Sequence, residues 1–392
     1  MHVTPRRVVV VGGGLAGSRT VEALRTAGYR GRLTLVGAEP RLPYDRPPLS
    51  KAVLFGAVSD TTLRASYRDL DVELLLGRRA VGLGDGVLET DSGRLDFDRM
   101  VIATGAAPIG LPGGGGRTLR TIDDALALRA ALRPGARVVV VGAGWIGAEA
   151  ATAAAAAGCR VTVVEGAATP LASALGVEVG SATVPWYTEA GVDLLLGKGV
   201  SAVEPDAVVL GTGESLPADH VVVGIGVRPD IGWLAGSAVP VERGVLVDEH
   251  LRSSVPNVYA VGDAAAWWSR RFGRRLSVEH WDDALHAPTV AAANLLGGTA
   301  VHDAVPYFWS EQFGRMVQYA GFPGRADTFL WRGDPTARTW TGCWLRGGVL
   351  EAVVTVDRPR DLLQARRAIV AATRMDLRRL ADPTVSIKAA GV

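Results

Sequence analysis

Val8-Val9-Val10-Val11-Gly12-Gly13-Gly14-Leu15-Ala16-Gly17 decides the fold of this chain, because it returns 130 residues later as Val138-Val139-Val140-Val141-Gly142-Ala143-Gly144-Trp145-Ile146-Gly147. Each stretch is an apolar run typical of a buried strand, followed by G-x-G-x-x-G. A helix-forming segment comes next in both, at 18–27 and at 148–157. A second strand is predicted at 32–36 and at 160–164, and each ends near an acid. The sequence therefore predicts two β-α-β units.

Each part of such a unit has a role in binding a dinucleotide. The first glycine permits the tight turn, the second lets the backbone approach a pyrophosphate, and the third allows close packing of helix and strand. The N–H groups and dipole at the helix start stabilise phosphates, and the acid accepts hydrogen bonds from a ribose. A lone G-x-G-x-x-G is weak evidence in a chain with 49 glycines, but two in full β-α-β context outweigh chance. The chain is predicted to hold two dinucleotides.

Composition excludes several other classes. The 392 residues contain 42 basic and 40 acidic side chains, too even a balance for a protein whose main partner is nucleic acid. The two cysteines, Cys159 and Cys343, are too far apart for a zinc site of usual spacing or a dithiol built from neighbours. The N-terminal apolar run is too short for a signal peptide or a membrane span. We expect a cytoplasmic protein with no metal and no membrane partner.

The rest of the chain extends this organisation. Further buried strands are predicted within 99–105, 221–226 and 257–263, and the glycine- and proline-rich stretch 107–116 is typical of a linker. From about Val305 the sequence changes to aromatic-rich strands and then to a helical, arginine-rich segment. That region is predicted to be a separate α+β domain.

Five stretches resemble, in order, the FAD-dependent pyridine nucleotide oxidoreductases, and within them the ferredoxin, putidaredoxin and rubredoxin reductases that feed oxygenases. They are Pro43-Tyr44-Asp45-Arg46-Pro47-Pro48-Leu49-Ser50-Lys51, Ala103-Thr104-Gly105, 258–263, Val278-Glu279-His280-Trp281 and Tyr307-Phe308-Trp309-Ser310-Glu311-Gln312. The resemblance implies an α/β fold with two Rossmann-like domains and a C-terminal α+β domain. The FAD-binding domain would comprise 1–110 and 243–304, the NAD-binding domain 111–242, and the C-terminal domain 305–392.

Disulfide reductases of the same superfamily carry a redox cysteine pair next to the flavin. The corresponding stretch here, 43–51, contains no cysteine, which excludes a mechanism through a protein disulfide. Electrons are therefore predicted to leave the flavin directly.

The resemblance also assigns four catalytic residues. Lys51 would lie beside the flavin and stabilise the charge of the reduced ring, the alternative being a solvated surface lysine. Glu149 would point to the nicotinamide and pair with Lys51, the alternative being a favourable charge in the first helical turn. Trp281 and Trp309 would lie near the isoalloxazine, whereas the other tryptophans considered are expected to serve packing: Trp267, Trp268, Trp331, Trp340 and Trp344.

The remaining binding residues follow from the same motifs. Those implied for FAD and the flavin edge are Gly12, Gly14, Leu15, Ala16, Gly17, Glu39, Arg46, Lys51, Val81, Ala103, Thr104, Gly105, Arg120, Gly262, Asp263, Glu279, His280 and Trp281. Those implied for NAD are Gly142, Gly144, Trp145, Ile146, Gly147, Glu149, Glu165 and Gly226.

The two strand-end acids bear on which cofactor binds. Glu165 would bond the adenosine 2′-hydroxyl and repel a 2′-phosphate, and no arginine lies between Arg160 and Arg228 to hold that phosphate. NADH is therefore expected over NADPH. The first unit departs from the family, because Ala38 stands where an acid is expected. Either Glu39 reaches the FAD ribose, or that hydrogen bond is lost.

The resemblance, together with these features, implies an NADH-dependent ferredoxin reductase that serves a cytochrome P450 or a Rieske-type oxygenase, and it implies a monomer rather than an oligomer. Four arginines are a solvated loop or a docking site for an acidic [2Fe-2S] ferredoxin: Arg270, Arg271, Arg274 and Arg275. The alternatives are a rubredoxin reductase, an NADH oxidase, or a redox switch that resembles apoptosis-inducing factor.

Overall fold

The computed structural model describes residues 5–392, and the chain forms two compact units. Unit 1 comprises Met1–Asp45, described from residue 5, together with Thr61–Ala107 and Arg228–Pro306. Unit 2 comprises Arg46–Asp60, Pro108–Val227 and Tyr307–Val392. Each unit contains one of the two β-α-β repeats.

The strands in chain order are β1 (Arg7–Val11), β2 (Arg32–Gly37), β3 (Glu73–Leu76), β4 (Ala80–Gly84), β5 (Val87–Thr90), β6 (Gly93–Asp96), β7 (Arg99–Ile102), β8 (Ala106–Pro108), β9 (Arg117–Thr118), β10 (Arg137–Val141), β11 (Arg160–Glu165), β12 (Asp193–Leu196), β13 (Val200–Val203), β14 (Ala207–Leu210), β15 (Ser215–Pro217), β16 (His220–Val223), β17 (Val227–Pro229), β18 (Val241–Glu242), β19 (Gly244–Val247), β20 (Val258–Ala260), β21 (Ala265–Ser269), β22 (Arg274–Leu276), β23 (Tyr307–Gln312), β24 (Arg315–Gly321), β25 (Thr328–Arg332), β26 (Trp340–Arg346) and β27 (Val349–Val356).

The helices are α1 (Leu15–Thr26), α2 (Ile122–Ala131), α3 (Trp145–Ala156), α4 (Ala172–Glu189), α5 (Trp281–Leu295), α6 (Pro359–Val370) and α7 (Leu377–Ala381). Short 3₁₀ helices lie at Pro47–Ser50, Gly232–Leu234, Gly262–Ala264 and Ile387–Ala390. No helix in residues 5–392 has both the length and the apolar character that crossing a bilayer requires.

Unit 1 is built on a parallel sheet in the order β20-β7-β1-β2-β3. Its central strands are runs of valine and other apolar residues, as expected of strands that are covered on both faces. Val8 and Val10 on β1 are almost completely buried. A three-stranded antiparallel sheet, β4-β5-β6, and a mixed sheet, β18-β19-β21-β22, complete the unit.

Unit 2 repeats this arrangement with a parallel sheet in the order β12-β11-β10-β16-β9. In both units the glycine-rich loop leaves the central strand of the sheet. The ends of the neighbouring strands therefore surround each loop, which is where α/β sheets bind ligands.

Both helices that follow the loops begin earlier than the sequence predicts. They start at Leu15 and Trp145, directly after the second glycine of each motif, instead of at residues 18 and 148. Gly14 and Gly144 have extended backbone and are the N-caps. Because the helices start early, the third glycine lies in the first turn.

The C-terminal region of unit 2 is an antiparallel sheet in the order β23-β24-β27-β26-β25, followed by α6 and α7. It confirms the predicted aromatic-rich strands, with Trp340 buried in a cluster that also contains Trp186 of α4. Trp331 and Trp344 pack against the same cluster. The packing role predicted for Trp268 of unit 1 is wrong, because this residue is 40% exposed.

Candidate functional site

The two glycine-rich loops have the same backbone path. In unit 1 the Gly12 N–H donates to the Val36 carbonyl at 2.8 Å, and in unit 2 the Gly142 N–H donates to Val164 at 2.8 Å. Neither α1 nor α3 has an acidic residue in its first turn. The positive ends of both helix dipoles are therefore available to an anion.

The glycines of unit 1 have distinct reasons to be glycine. A Cβ on Gly12 would lie 2.0 Å from the Ala103 carbonyl oxygen, and one on Gly17 would lie 1.9 Å from the Gly12 carbonyl oxygen. Gly12 also has φ +126°, a conformation that side chains disfavour. A Cβ on Gly14, in contrast, would meet no atom within 4 Å among the described residues beyond its chain neighbours. The space in front of Gly14 fits the pyrophosphate of a dinucleotide such as FAD.

Unit 2 gives the same result. A Cβ on Gly142 would lie 2.5 Å from the Gly224 carbonyl oxygen, and one on Gly147 would lie 1.9 Å from the Gly142 carbonyl oxygen. For Gly144 the nearest described atom would be 3.8 Å away. Unit 2 therefore also fits a dinucleotide, and the predicted residues Trp145 and Ile146 begin α3 directly after the loop.

The two strand-end acids have different partners. The Glu165 carboxylate accepts hydrogen bonds from the backbone N–H groups of Ala143 and Ala167, both at 2.7 Å. Glu39 instead accepts a hydrogen bond from the buried Tyr44 hydroxyl at 2.6 Å. Ala38, at the position expected to hold an acid, is exposed. Tyr44 had not been identified as a functional residue, although it lies within a motif quoted for the resemblance.

Other predicted residues of unit 1 gather around its loop. The Ala103 N–H donates to the Val11 carbonyl at 2.7 Å, which places Ala103-Thr104-Gly105 beside the end of β1. A Cβ on Gly262 would lie 3.1 Å from the Cβ of Ala16, so the 3₁₀ helix that contains Asp263 lies next to the start of α1. Val81 lies at an irregularity of β4, where its side chain is exposed.

The segment before α5 also belongs to unit 1. The indole N–H of Trp281, a predicted catalytic residue, donates to Asp45 Oδ1 at 2.7 Å. Asp45, which the sequence did not single out as a site residue, thus orients Trp281. Glu279 is exposed. Burial lowers the pKa of His280 to about 4, although the Asp283 charge opposes this shift. His280 is therefore neutral at pH 7.

The most buried charged group among the predicted residues is Glu149 of unit 2. Its side chain is only 3% exposed, and the ammonium of Lys51 lies 2.8 Å from Oε1 and 2.9 Å from Oε2. Ser50 donates to Oε2, and Ser310 donates to Oε1 at 2.6 Å. The predicted Lys51–Glu149 pair is therefore present.

The early start of α3 places Glu149 in the second turn of the helix. A helix dipole acts on charges in the first turn and falls off beyond it. This geometry removes the alternative explanation of Glu149 as a first-turn charge.

Other predicted residues of unit 2 lie on different elements. Arg46 donates to the carbonyl of Arg120 at 2.7 Å. The ring of Trp309 stacks on Tyr307, with centroids 6.2 Å apart. Gly226 has φ +116°, and its carbonyl accepts from the backbone N–H of Ile109 at 2.9 Å. Arg46, Lys51 and Arg120, all implied for FAD by resemblance, thus belong to unit 2.

The four arginines of the predicted docking site are partly engaged within unit 1. Arg270 bonds Glu249 at 2.6 Å and lowers the pKa of that carboxyl group. The backbone N–H of Arg271 donates to Asp303 at 3.0 Å, and the Arg271 guanidinium lies 3.9 Å from the same carboxylate. The Arg275 guanidinium donates to the Ala266 carbonyl at 2.8 Å. Arg274 and Arg275 lie on β22 and not on a loop as predicted, because they pair with β21, so part of the arginine charge is used within unit 1.

Each unit has a glycine-rich loop with open space at its second glycine, and we call this arrangement a dinucleotide cradle. Two such cradles on parallel sheets are typical of one class of protein, the nicotinamide-dependent flavoprotein reductases. Residues 6–287 match the family described as pyridine nucleotide-disulphide oxidoreductase, and residues 307–391 match the reductase C-terminal family. The chain belongs to the pyridine nucleotide-disulphide oxidoreductase family and carries the reductase C-terminal domain. This confirms the resemblance and the fold class, and FAD and NADH are the cofactors that this membership indicates.

Relatives match over almost the whole chain. The ferredoxin–NAD(+) reductase component of the anthranilate 1,2-dioxygenase system of Burkholderia cepacia is 37% identical, over 97% of this chain and 98% of the relative. The crystal structure of Fdr9 is 49% identical with TM-score 0.93, covering 97% of this chain and 99% of that one. A covalent putidaredoxin reductase–putidaredoxin complex is 33% identical with TM-score 0.94, covering 97% of each chain.

Proposed function

We propose that this chain is a FAD-containing, NADH-dependent ferredoxin reductase that supplies a cytochrome P450 or a Rieske-type oxygenase. One observation carries the proposal: two dinucleotide cradles occur in one chain whose segment 43–51 has no cysteine. When bound, FAD accepts a hydride from NADH and releases the electrons singly. A relative named as a ferredoxin–NAD(+) reductase component, and a solved complex of putidaredoxin reductase with putidaredoxin, support the choice of acceptor.

In this proposal FAD binds the domain formed by 1–110 and 243–304, NADH binds 111–242, and 305–392 is the C-terminal domain. Lys51 stabilises negative charge that develops during reduction, while Glu149 compensates its cation. Trp281 is held in one orientation by Asp45. Trp309, stacked on Tyr307, supplies a rigid aromatic surface.

The choice of NADH rests on Glu165. Its carboxylate is already oriented by two backbone N–H groups, so it presents a fixed anion that favours a ribose hydroxyl and repels a 2′-phosphate. We expect Glu165→Ser to reduce the ratio of kcat/KM for NADH to that for NADPH by about tenfold or more. An unchanged ratio would remove Glu165 from cofactor selection.

Anaerobic stopped-flow mixing tests the function as a whole. The oxidised holoprotein is mixed with NADH and, separately, with NADPH, while the visible flavin absorption is followed, and a [2Fe-2S] ferredoxin is then added. Fast bleaching by NADH and re-oxidation by ferredoxin is the expected result. Re-oxidation only by rubredoxin or dioxygen would favour those alternatives, and slow bleaching without re-oxidation by a carrier would favour the redox switch.

We further propose that the protein is a monomer and that its four arginines attract the acidic ferredoxin. Their positive charge accelerates association at low salt, and the effect falls as ionic strength rises. Replacing Arg270, Arg271, Arg274 and Arg275 by serine is expected to flatten the salt dependence of ferredoxin reduction. NADH-driven flavin bleaching in the same variant, measured without ferredoxin, is the control. An unchanged salt dependence would move the docking site elsewhere.

A further inference from the structure

The first strand of the C-terminal sheet runs along the helix of the second β-α-β unit, and both belong to unit 2. The ring of Phe308 meets Trp145 edge-on, with centroids 4.4 Å apart. Two residues further along β23, the Ser310 hydroxyl donates a hydrogen bond to Glu149 of α3. The Phe313 N–H then donates to the Thr152 hydroxyl at 3.0 Å. These three contacts fix β23 and the residue that follows it against α3 between Trp145 and Thr152.

Side chains alternate along β23, so Phe308, Ser310 and Gln312 share the face toward α3. Gln312 is 1% exposed, and its amide Nε2 donates to Ser310 Oγ at 3.1 Å. Because Oγ accepts this hydrogen bond, the Ser310 hydroxyl proton is directed to Glu149. Gln312 thereby orders a two-step chain of hydrogen bonds that ends on the carboxylate.

The Glu149 carboxylate receives three donors from two separate parts of the sequence, residues 50–51 and residue 310. Ser310 bonds Oε1 and Ser50 bonds Oε2, while the Lys51 ammonium lies within 2.9 Å of both oxygens. Hydrogen bonds to an ionised group are about twice as strong as neutral ones. Each carboxylate oxygen thus accepts from two donors, which fixes the orientation of the Glu149 carboxylate. The same contacts fix the position of the Lys51 ammonium.

Three other charged groups of unit 2 have different surroundings. Arg46 donates to the backbone of Arg120, Glu165 accepts from two backbone N–H groups, and Glu311 is exposed on the opposite face of β23. Lys51 is the cation that the structure records on Glu149 within residues 5–392.

We infer that Ser310, ordered by Gln312, is a positioning residue that holds Glu149, and through it Lys51, for the reaction with NADH. The inference rests on the proposed function, since it assigns Ser310 a role in that reaction. It gives the C-terminal domain a part in nicotinamide orientation, because that domain supplies the hydroxyl.

Ser310→Ala tests the inference in the oxidised holoprotein. The limiting rate of flavin bleaching at saturating NADH should fall about tenfold, as expected when one hydrogen bond to a charged group is lost. The affinity for NAD⁺ should fall about threefold or more, whereas that for ADP-ribose, which lacks nicotinamide, should change less than about twofold. Ser310→Thr keeps the hydroxyl and should restore both values.

Thr355→Val is the matched control. Thr355 lies fully buried in the same sheet, and no described group hydrogen-bonds its hydroxyl. Its replacement should leave the rate and both affinities unchanged. Gln312→Met is a second, milder variant: it leaves the Ser310 hydroxyl undirected and should slow bleaching about threefold. It keeps the inference testable if Ser310→Ala does not fold.

Two results would overturn the inference: equal losses for NAD⁺ and ADP-ribose, or a Ser310→Ala rate equal to the native one. Both results require a native protein whose flavin absorption is bleached by NADH. If NADH does not bleach the native protein, the proposed function itself fails, so the two failures are distinguishable.

Discussion

The two β-α-β units follow one backbone path and differ at the end of the second strand. In unit 1 Val36 pairs with Val11 and is followed by Gly37, whereas in unit 2 Val164 pairs with Val141 and is followed by Glu165. Position for position, a glycine thus replaces the acid. The two units therefore share the glycines that shape the loop and differ in the residue that ends the second strand.

The loops differ in a matching way. A Cβ on Gly13 would lie 3.2 Å from the Cα of Gly37, so the loop of unit 1 closes on the strand by backbone contact. In unit 2 the corresponding contact is made by a side chain, with Glu165 accepting from the Ala143 N–H. The helices differ as well: Glu149 is buried, whereas Arg19, 130 residues earlier, is exposed and pairs with Glu22.

The strongest way to break the shared geometry is to fill the third glycine. Gly17→Ala and Gly147→Ala each place a methyl group 1.9 Å from a backbone carbonyl oxygen, which cannot move without displacing the loop. We expect each to destabilise its own unit by about 5 kcal/mol. Hydrogen exchange resolved by segment should locate the loss in unit 1 for the first and unit 2 for the second.

Gly14→Ala is the control for this experiment. Its methyl group would meet no described atom within 4 Å, so the stability of the apoprotein should change by less than about 0.5 kcal/mol while FAD affinity falls. A large loss of apoprotein stability would show that the space in front of Gly14 is not a cradle.

The difference between buried Glu149 and exposed Arg19 is tested at the Lys51–Glu149 ion pair. Lys51→Met leaves the Glu149 charge buried without its cation, and we expect a loss of about 3 to 4 kcal/mol in the free energy of unfolding. Arg19→Met, at the exposed counterpart of Glu149, should change it by less than about 0.5 kcal/mol. Urea unfolding measures both, and equal effects would contradict the distinction.

The next prediction is that mild acid lowers the stability of unit 1 through His280. His280 of unit 1 stays neutral until its pKa of about 4, whereas the unfolded chain binds the proton near pH 6.5. Stability from this group is present above pH 6.5 and is lost as the pH falls toward 4, by about 3 kcal/mol. His280→Gln should make the unfolding free energy of unit 1 less dependent on pH in this window. An unchanged slope would exclude His280 as the cause.

The smallest expected effect concerns Glu39. Tyr44→Phe removes the hydroxyl that orients the Glu39 carboxylate, at a cost of about 1 kcal/mol. If Glu39 compensates for Ala38 at the FAD ribose, FAD affinity should fall about fivefold, as fluorescence titration can measure. Tyr29→Phe, which removes another buried hydroxyl of unit 1, is the control and should leave FAD affinity unchanged.

The sequence predicted the two cradles because glycine spacing and buried strands are local signals. It misplaced the starts of α1 and α3, since the N-caps are glycines rather than the side-chain caps that usually mark a helix start. Lys51 and Glu149 came from resemblance, and the structure brings them together. The roles of Ser50 and Ser310 were missed because their shared partner, Glu149, is about 100 to 160 residues away along the chain, and Gln312 acts only through Ser310. Such a pairing leaves no periodic signal.

The alternation of β23 limits how this region can evolve. Inserting or deleting one residue between Tyr307 and Gln312 would exchange the two faces of the strand and turn Trp309 and Glu311 toward α3 in place of Phe308 and Ser310. Substitutions can accumulate along this strand, but changes of length cannot. Length variation among descendants of this sequence should instead collect in exposed loops such as residues 110–116, where glycines are abundant and the backbone is exposed.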